Sequence, residues 1–130
     1  MSCLIPCLLA LTLLSCGSSK PPAPLFPETV GPWKLKQSAD LAAAEAPDAI
    51  RKLGIRRAGS AAYEGPGALD VRIYELTSPA AAFEAEQQWR PVADTVAVHK
   101  DSLFTVVHWQ GADRAAVSAF IRAMEQGTGR

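Results

Sequence analysis

The amino-acid sequence predicts an α+β domain, a four- or five-stranded antiparallel sheet with helices on one face. Two stretches, 55–74 and 93–109, each hold strand-like residues on both sides of a turn, which predicts two hairpins. Three other segments, near 47–53, 79–90 and 113–126, carry helix caps or helical spacing of apolar residues. The predicted order is therefore α-β-β-α-β-β-α, which is typical of an α+β fold.

The first helix and the first hairpin follow one another closely. Pro47 at a first helical position and Gly54 as a C-terminal stop bracket a short helix near 47–53. Gly65-Pro66-Gly67 then separates a strand over 55–64 from a second strand, in which apolar and polar residues alternate from Leu69. A further strand over Trp33–Lys36 would be the fifth of the sheet.

The second half repeats the pattern. Ser78-Pro79 supplies an N-cap and a first-turn proline for the second helix, which ends before Pro91. The second hairpin pairs Thr95–His99 with Ser102–Trp109, and its tip is Lys100-Asp101. Asp113 caps the third helix, whose apolar residues follow helical spacing. The blocks 55–90 and 93–126 are of similar length, which indicates two β-β-α repeats.

A core is predicted from these apolar positions. Its members are Ile50, Leu53, Val71, Ile73, Phe83, Trp89, Val96, Val98, Val117, Phe120, Ile121 and Met124. Trp33 and Trp109 are also expected to contribute packing surface. If the second face of the sheet is open, Tyr74 or Trp109 would line a groove there.

Composition excludes several classes of protein. The 130 residues include 13 Lys and Arg and 13 Asp and Glu, so the net charge is zero and no nucleic acid is expected as a partner. The three cysteines, Cys3, Cys7 and Cys16, all lie in the first sixteen residues. This position excludes a disulfide framework or a cysteine zinc site in the rest of the chain.

The first residues are typical of an export signal. Leu4–Leu14 is an uncharged apolar run, too short to span a bilayer but as long as the apolar region of a signal peptide. Leu13-Leu14-Ser15-Cys16 follows and resembles the lipobox of bacterial lipoprotein precursors, although Met1-Ser2-Cys3 lacks the usual basic residue and position −2 is Leu14. One alternative is a cleaved secretory peptide that leaves Cys16 free. A retained membrane helix is the other, and the polar residues after Cys16 argue against it because they end the apolar run.

The lipobox resemblance implies a lipid-anchored protein. It implies cleavage after Ser15 and lipid attachment to Cys16, so that residues 1–15 are a signal peptide and the membrane is a partner through Cys16. In many lipoproteins an aspartate directly after the lipidated cysteine retains the protein in the inner membrane. Gly17 occupies that position here, so the resemblance implies the outer membrane, with the domain facing the periplasm. Residues 16–32, with five prolines, are predicted as an extended tether, or as a proline-rich ligand of another protein. The α+β domain then covers 33–126, and 127–130 form a flexible tail.

The domain itself also resembles a known family. Trp33, Lys52-Leu53-Gly54, Ala62-Tyr63, Val71–Leu76 and Ser78–Phe83 occur in an order similar to that in uncharacterised secreted bacterial proteins that share a domain of unknown function. These motifs are hydrophobic and aromatic. They are packing positions, and the resemblance implies no known activity.

Few residues of the sequence are candidates for catalysis or metal binding. No nucleophile elbow, phosphate loop, zinc motif or calcium loop is present, so no catalytic residue, cofactor or metal ligand is predicted. His99 and His108 would lie on one face about 20 Å apart if Lys100-Asp101 is the turn, which is too far for one metal ion. His108 with a nearby carboxylate is the enzyme-like candidate, and a half-exposed strand histidine is the simpler interpretation. Asp70 and Glu75 are carboxylates that could meet in space, and solvated residues on an outer face are the simpler interpretation of both.

A cluster of cations is the last feature of interest. Arg51, Lys52, Arg56 and Arg57 place four positive charges in seven residues. Such a cluster on an anchored domain would contact anionic lipid headgroups. The alternative is a solvated helix end whose cations suit the helix dipole.

Together these observations predict a membrane-anchored, non-enzymatic binding or assembly-accessory module that faces the periplasm and has an envelope protein as a partner. The anchor and tether favour this function because they raise the local concentration of the domain at a membrane. Two alternatives stay open, a carrier of an apolar ligand and a small envelope hydrolase that uses His108.

Overall fold

The structure, a computed structural model, describes residues 24–128. Its strands and helices, in chain order, are β1 (Thr29–Val30), β2 (Trp33–Asp40), α1 (Asp48–Arg51), β3 (Ile55–Glu64), β4 (Ala68–Leu76), α2 (Pro79–Gln88), β5 (Thr95–Lys100), β6 (Leu103–Gln110) and α3 (Arg114–Thr128). A short 3-10 turn at Ala43–Glu45 precedes α1. The strands form one antiparallel sheet in the order β1-β2-β3-β4-β6-β5. The predicted α+β class is confirmed.

The sheet has six strands, more than the four or five predicted. The additional strand predicted at Trp33–Lys36 is present and continues to Asp40, where it still pairs with Gly59 of β3. Its length was hidden in the sequence because almost every side chain beyond Leu35 is exposed, so no apolar alternation marks it. The sixth strand is β1, two residues that pair with the start of β2.

Helices cover both faces of the sheet, so the prediction of helices on one face is wrong. In β4, Leu69, Val71 and Ile73 pack in one hydrophobic cluster with α3. The alternate residues Tyr74 and Leu76 pack in a second cluster with α1 and α2. Because successive strand residues point to opposite faces, the two clusters lie on opposite sides of the sheet. A central strand with apolar residues of both parities is buried on both faces.

This arrangement also limits the predicted repeat. The two hairpins, β3–β4 and β5–β6, are joined through β4 and β6, as two similar units would be. The two-fold axis that would exchange the antiparallel strands β4 and β6 is perpendicular to the sheet. Rotation about this axis leaves each face of the sheet on its own side, so related helices would lie on the same face. Since α2 and α3 lie on opposite faces, the repeat holds for the hairpins and fails for the helices.

The capping signals predicted for α2 and α3 are confirmed, whereas Pro47, predicted at a first helical position, is the N-cap residue before α1. The backbone amide of Ala81 donates to Ser78 Oγ at 3.1 Å, and Pro79 occupies the first turn of α2. The amide of Ala116 donates to Asp113 Oδ1 at 2.7 Å at the start of α3. Gly54 follows α1 with a φ of 83°, which favours glycine and ends the helix. The helix α3 continues to residue 128, past the predicted boundary at 126.

The core on the α3 side is built around aromatic side chains. Phe120 is 1 % exposed and makes edge-on contacts with Trp33 and Tyr63, at ring-centroid distances of 6.0 and 5.1 Å. The predicted core positions that prove fully buried are Ile50, Val71, Ile73, Val117, Phe120 and Met124. Phe83 is 51 % exposed, so its assignment to the core is wrong. It flanks the buried face of α2, which consists of small residues, Ala81, Ala82 and Ala85.

Residues 24–32 pack against the sheet, although the sequence predicts them as the end of a tether. Phe26 and Val30 are buried in the α3-side cluster. The phenol of Tyr63 donates to the carbonyl oxygen of Pro27 at 2.7 Å, and burial raises the pKa of that phenol. The backbone amide of Leu35 donates to the carbonyl of Glu28 at 2.8 Å. The folded unit therefore includes this segment as well as 33–126. Cys16, the predicted signal peptide and residues 129–130 lie outside the described residues.

Candidate ligand-binding groove

Part of the sheet face that carries α1 and α2 is left uncovered by the helices. The strand register places two parallel rows of side chains there, each crossing β2, β3, β4 and β6. The first row is Gln37, Ala62, Asp70 and His108, and the second row is Ala39, Ser60, Arg72 and Val106. Both rows line a depression of about 610 Å³, which we call the open groove. Its volume is within the range of small-molecule sites.

Side chains at the covered end of the sheet bound the open groove. Tyr74 lies one position further along β4 on the same face, and Trp89 is the residue that ends α2. Pro47, just before α1, completes this side. The indole Nε1 of Trp89 is buried and makes no hydrogen bond within residues 24–128, so it is a donor without an acceptor. A buried donor without a partner costs free energy of folding.

The floor of the open groove carries charges that the described protein does not neutralise. Asp70 and Arg72 are both exposed, and neither forms a hydrogen bond or an ion pair with another residue in the range 24–128. Small side chains, Ala39, Ser60 and Ala62, occupy the β2–β3 half and leave space beside these charges. The groove is therefore a cleft of mixed polar and apolar lining, whose floor carries one carboxylate and one guanidinium that have no partner among residues 24–128.

His108 lies directly opposite Asp70 in the pairing of β4 with β6. Its Nδ1 is 3.1 Å from the hydroxyl oxygen of Thr95, and that hydroxyl donates to the carbonyl oxygen of Ala93 at 3.2 Å. Because the hydroxyl has a single proton, it can only accept from His108. The network therefore favours a proton on Nδ1, and in that tautomer of the neutral ring Nε2 is an acceptor.

The second hairpin has a different register from the one predicted. Its turn is Asp101-Ser102, where Asp101 has a φ of 51°, so His108 faces Thr95 instead of Ala93. The register differs by two residues, and an even shift keeps every side chain on its predicted face. His99 and His108 thus share a face as predicted, but they are four positions apart along the ladder, about 14 Å. That separation is too large for one metal ion to join them.

His99 belongs to the contact between α2 and the sheet. Its Nδ1 contacts the Glu86 carboxylate of α2, and its ring meets the ring of Phe83 edge-on at 5.4 Å. The exposed Phe83 thus packs on a strand residue near the edge of the sheet. His99 does not line the open groove.

The other residues that the sequence indicated for a groove or for chemistry lie on different faces of the sheet. Tyr74 lines the open groove, as predicted for one of two aromatic residues, whereas Trp109 packs with the α3-side cluster on the opposite face. Glu75, which was considered with Asp70 as a possible carboxylate pair, lies on the opposite face and contacts Arg57 Nε at 3.3 Å. Asp70 and His108 are therefore the groove residues that sequence analysis had singled out for chemistry.

The cationic cluster has protein partners for most of its charges. Arg51 pairs with Asp48, and Arg57 pairs with Glu75. The guanidinium of Arg56 donates to the carbonyl oxygen of Thr77 at 3.3 Å. Three of the four cations are thus engaged within the domain, which supports the solvated helix end over a headgroup site.

Sequence analysis did not single out Arg72, Ser60 or Gln37. The signal that could have found Arg72 is the alternation in β4, which places it two residues from Asp70 and hence on the same face. Ser60 and Gln37 carry no such signal. Their position in the open groove depends on the pairing of three strands and on the bulge between Leu35 and Gln37.

The described residues hold neither a cluster of metal ligands nor a helix that could span a membrane. Within residues 24–128, no three His, Asp or Glu side chains lie close enough together to hold a metal ion. No helix of the described range combines the length and the apolar character needed to cross a bilayer.

Comparison with known proteins gives no relative from which a function could be transferred. No protein-family model matches the chain, and no curated protein and no solved structure is found to be similar to it. The resemblances to bacterial lipoprotein precursors and to a domain of unknown function therefore stay predictions.

Proposed function

We propose that this protein is a lipid-anchored, periplasm-facing binding module that holds a small polar ligand in the open groove. The observation that carries the proposal is the open groove itself, with Asp70 and Arg72 on its floor and without partners among the described residues. Charges without protein partners in a concave site are available to fix the orientation of a ligand. The module is non-enzymatic, because binding and orienting groups suffice for this role.

The lining of the open groove favours a polar ligand over the alternatives. An apolar carrier needs an apolar cavity, whereas charged or polar side chains occupy both rows of this floor. A protein-docking face is commonly flat with a central apolar patch, whereas this face is concave and charged at its centre. An envelope protein partner would then bind another surface or deliver the ligand.

The anchor is proposed from the lipobox-like Leu13-Leu14-Ser15-Cys16. Pro24, the first described residue, lies beside Ser38, Ala39 and Asp40 of β2. Ala39 also lines the open groove. A lipid on Cys16 is eight residues from Pro24, so it would hold the groove within about 30 Å of the membrane surface. Such a position suits a ligand that is released or collected at the envelope.

Replacing Cys16 by alanine is expected to abolish lipid attachment. Cells that express the protein should incorporate radiolabelled palmitate into it, and C16A should incorporate none and leave the membrane fraction. The matched control is Cys7→Ala, which removes a cysteine from the same region and should leave labelling unchanged. Equal labelling of C16A and the unaltered protein would contradict the anchor.

Filling the open groove is expected to release a bound ligand. The lipidated protein, purified from its own membranes in mild detergent, should retain a small molecule in native mass spectrometry. Ala62→Trp places a large ring on the groove floor and should lose that molecule. Ala115→Trp, at an exposed position of α3 on the opposite face, should retain it. Absence of any bound molecule, or equal retention by both variants, would contradict the proposed site.

A second candidate function is favoured by one observation, the placement of His108. His108 and Asp70 are cross-strand partners that both line the open groove, and Nε2 is an acceptor in the tautomer that the Thr95 contact favours, as a general base requires. A hydrolase of an envelope ester or amide would use Nε2 to activate water. Turnover of such a substrate that is lost in His108→Ala would assign this role in place of simple binding.

A further inference from the structure

The two rows of the groove floor differ in hydrogen-bonding character. At its β4–β6 end the first row presents acceptors, namely the Asp70 carboxylate and the neutral His108 Nε2, while Gln37 at its β2 end carries an amide that both donates and accepts. The second row presents donors, namely the Arg72 guanidinium and the Ser60 hydroxyl, which are cross-strand neighbours. A cation is therefore favoured over one row and an anion over the other.

A ligand with a single charge does not suit this floor. An anion on Arg72 would approach the Asp70 carboxylate, and a cation on Asp70 would approach Arg72, because the two residues are neighbours on one face of β4. The formal charge of the pair is zero. A ligand that carries both charges satisfies both residues and leaves neither one desolvated without a partner.

The backbone spacing of the two rows gives the scale of the separation between the charges of the ligand. Asp70 and Arg72 are two residues apart, about 6.8 Å along an antiparallel strand. Two residues of an extended peptide span at most about 7 Å. The ammonium and carboxylate of a dipeptide are thus separated by about the spacing of the rows.

We propose that the open groove binds a short peptide of about two residues with free termini, its ammonium on Asp70 and His108 and its carboxylate on Arg72 and Ser60. This inference rests on the proposed binding function and names the ligand class. Trp89 and Val106, which are half-buried and line the open groove, supply apolar surface for its side chains.

The test compares a dipeptide with its two capped forms. Calorimetric titration of the full chain in detergent would use Ala-Phe, acetyl-Ala-Phe and Ala-Phe-amide as probes. Ala-Phe is expected to bind about tenfold or more tightly than either capped form, since each cap removes one charge-assisted contact. Equal affinities for the three probes would overturn the proposal.

Two groove variants assign each terminus to its residue. Arg72→Gln should weaken Ala-Phe about tenfold and leave the weak binding of Ala-Phe-amide unchanged. Asp70→Asn should weaken Ala-Phe equally and leave acetyl-Ala-Phe unchanged. Both positions are exposed, so the fold should tolerate these substitutions, and circular dichroism would verify it. Arg122→Gln on α3 and Asp101→Asn in the β5–β6 turn are the matched controls. If a variant weakens all three probes alike, the assignment of the termini is wrong.

The failure of this inference can be told apart from the failure of the proposed function. If no probe binds but native mass spectrometry detects another molecule that Arg72→Gln releases, the peptide proposal is wrong and the groove still binds a ligand. If no probe binds and no molecule is retained, both proposals are wrong.

Discussion

Replacing Phe120 by alanine is expected to destabilise the domain by about 3–5 kcal/mol. The ring is 1 % exposed and contacts the rings of Trp33 and Tyr63, so its removal leaves a cavity between α3 and the sheet. Aromatic edge-on contacts add to the free energy of burial. Urea unfolding followed by tryptophan fluorescence would measure the loss.

Ser118→Ala is the matched control for Phe120. Ser118 is exposed two residues earlier in the same helix, and its replacement should change the free energy of unfolding by less than about 0.5 kcal/mol. A loss below about 0.5 kcal/mol for Phe120→Ala would mean that α3 does not pack on this face.

Replacing Phe26 by alanine is expected to cost about 3 kcal/mol, at the lower end of the range for a buried phenylalanine. The side chain is 8 % exposed and packs against β3 at Gly59, where an added Cβ would lie 2.8 Å from Phe26 Cε2. The lower end applies because a segment at the start of the folded unit can relax more than a central helix. The same urea experiment measures this change.

The Phe26 result distinguishes a packed segment from a free tether. A free tether would lose nothing on Phe26→Ala. The control is Glu28→Ala, because the Glu28 side chain is exposed and its contact with Leu35 uses only the backbone carbonyl, which alanine keeps. Equal, small effects of both substitutions would show that residues 24–32 do not contribute to the fold.

Much of the local structure could be predicted because its causes are local. The caps at Ser78 and Asp113, the stop at Gly54 and the strand Ile55–Glu64 follow from neighbouring residues and were predicted correctly. The predicted register of the β5–β6 hairpin is wrong by two residues. The sequence suits a turn at 100–101 and a turn at 101–102 about equally, and the backbone conformation of the folded hairpin decides between them. The faces survived this error because the shift was even.

The candidate site was predictable only in part. The alternation of β4 indicates that Asp70 and Arg72 share a face, and His108 is predicted as the enzyme-like histidine, but the sequence does not indicate which carboxylate lies near it. Phe83 was assigned to the core from helical spacing, yet the alanine face of α2 is the one that packs. Small residues allow the helix to approach the sheet closely, and their weak hydrophobicity hides that face from a sequence pattern.

The sequence by itself determined the α+β class, the order of the central elements and the residues that start and end them, because periodicity and capping act over a few neighbouring positions. Only the tertiary structure decided that β4 pairs with β6, which places Asp70 opposite His108 across 38 residues of chain. It also decided that helices cover both faces and leave one region open. These outcomes depend on which apolar faces meet across long separations in sequence, and many pairings of the same strands satisfy the local patterns equally well.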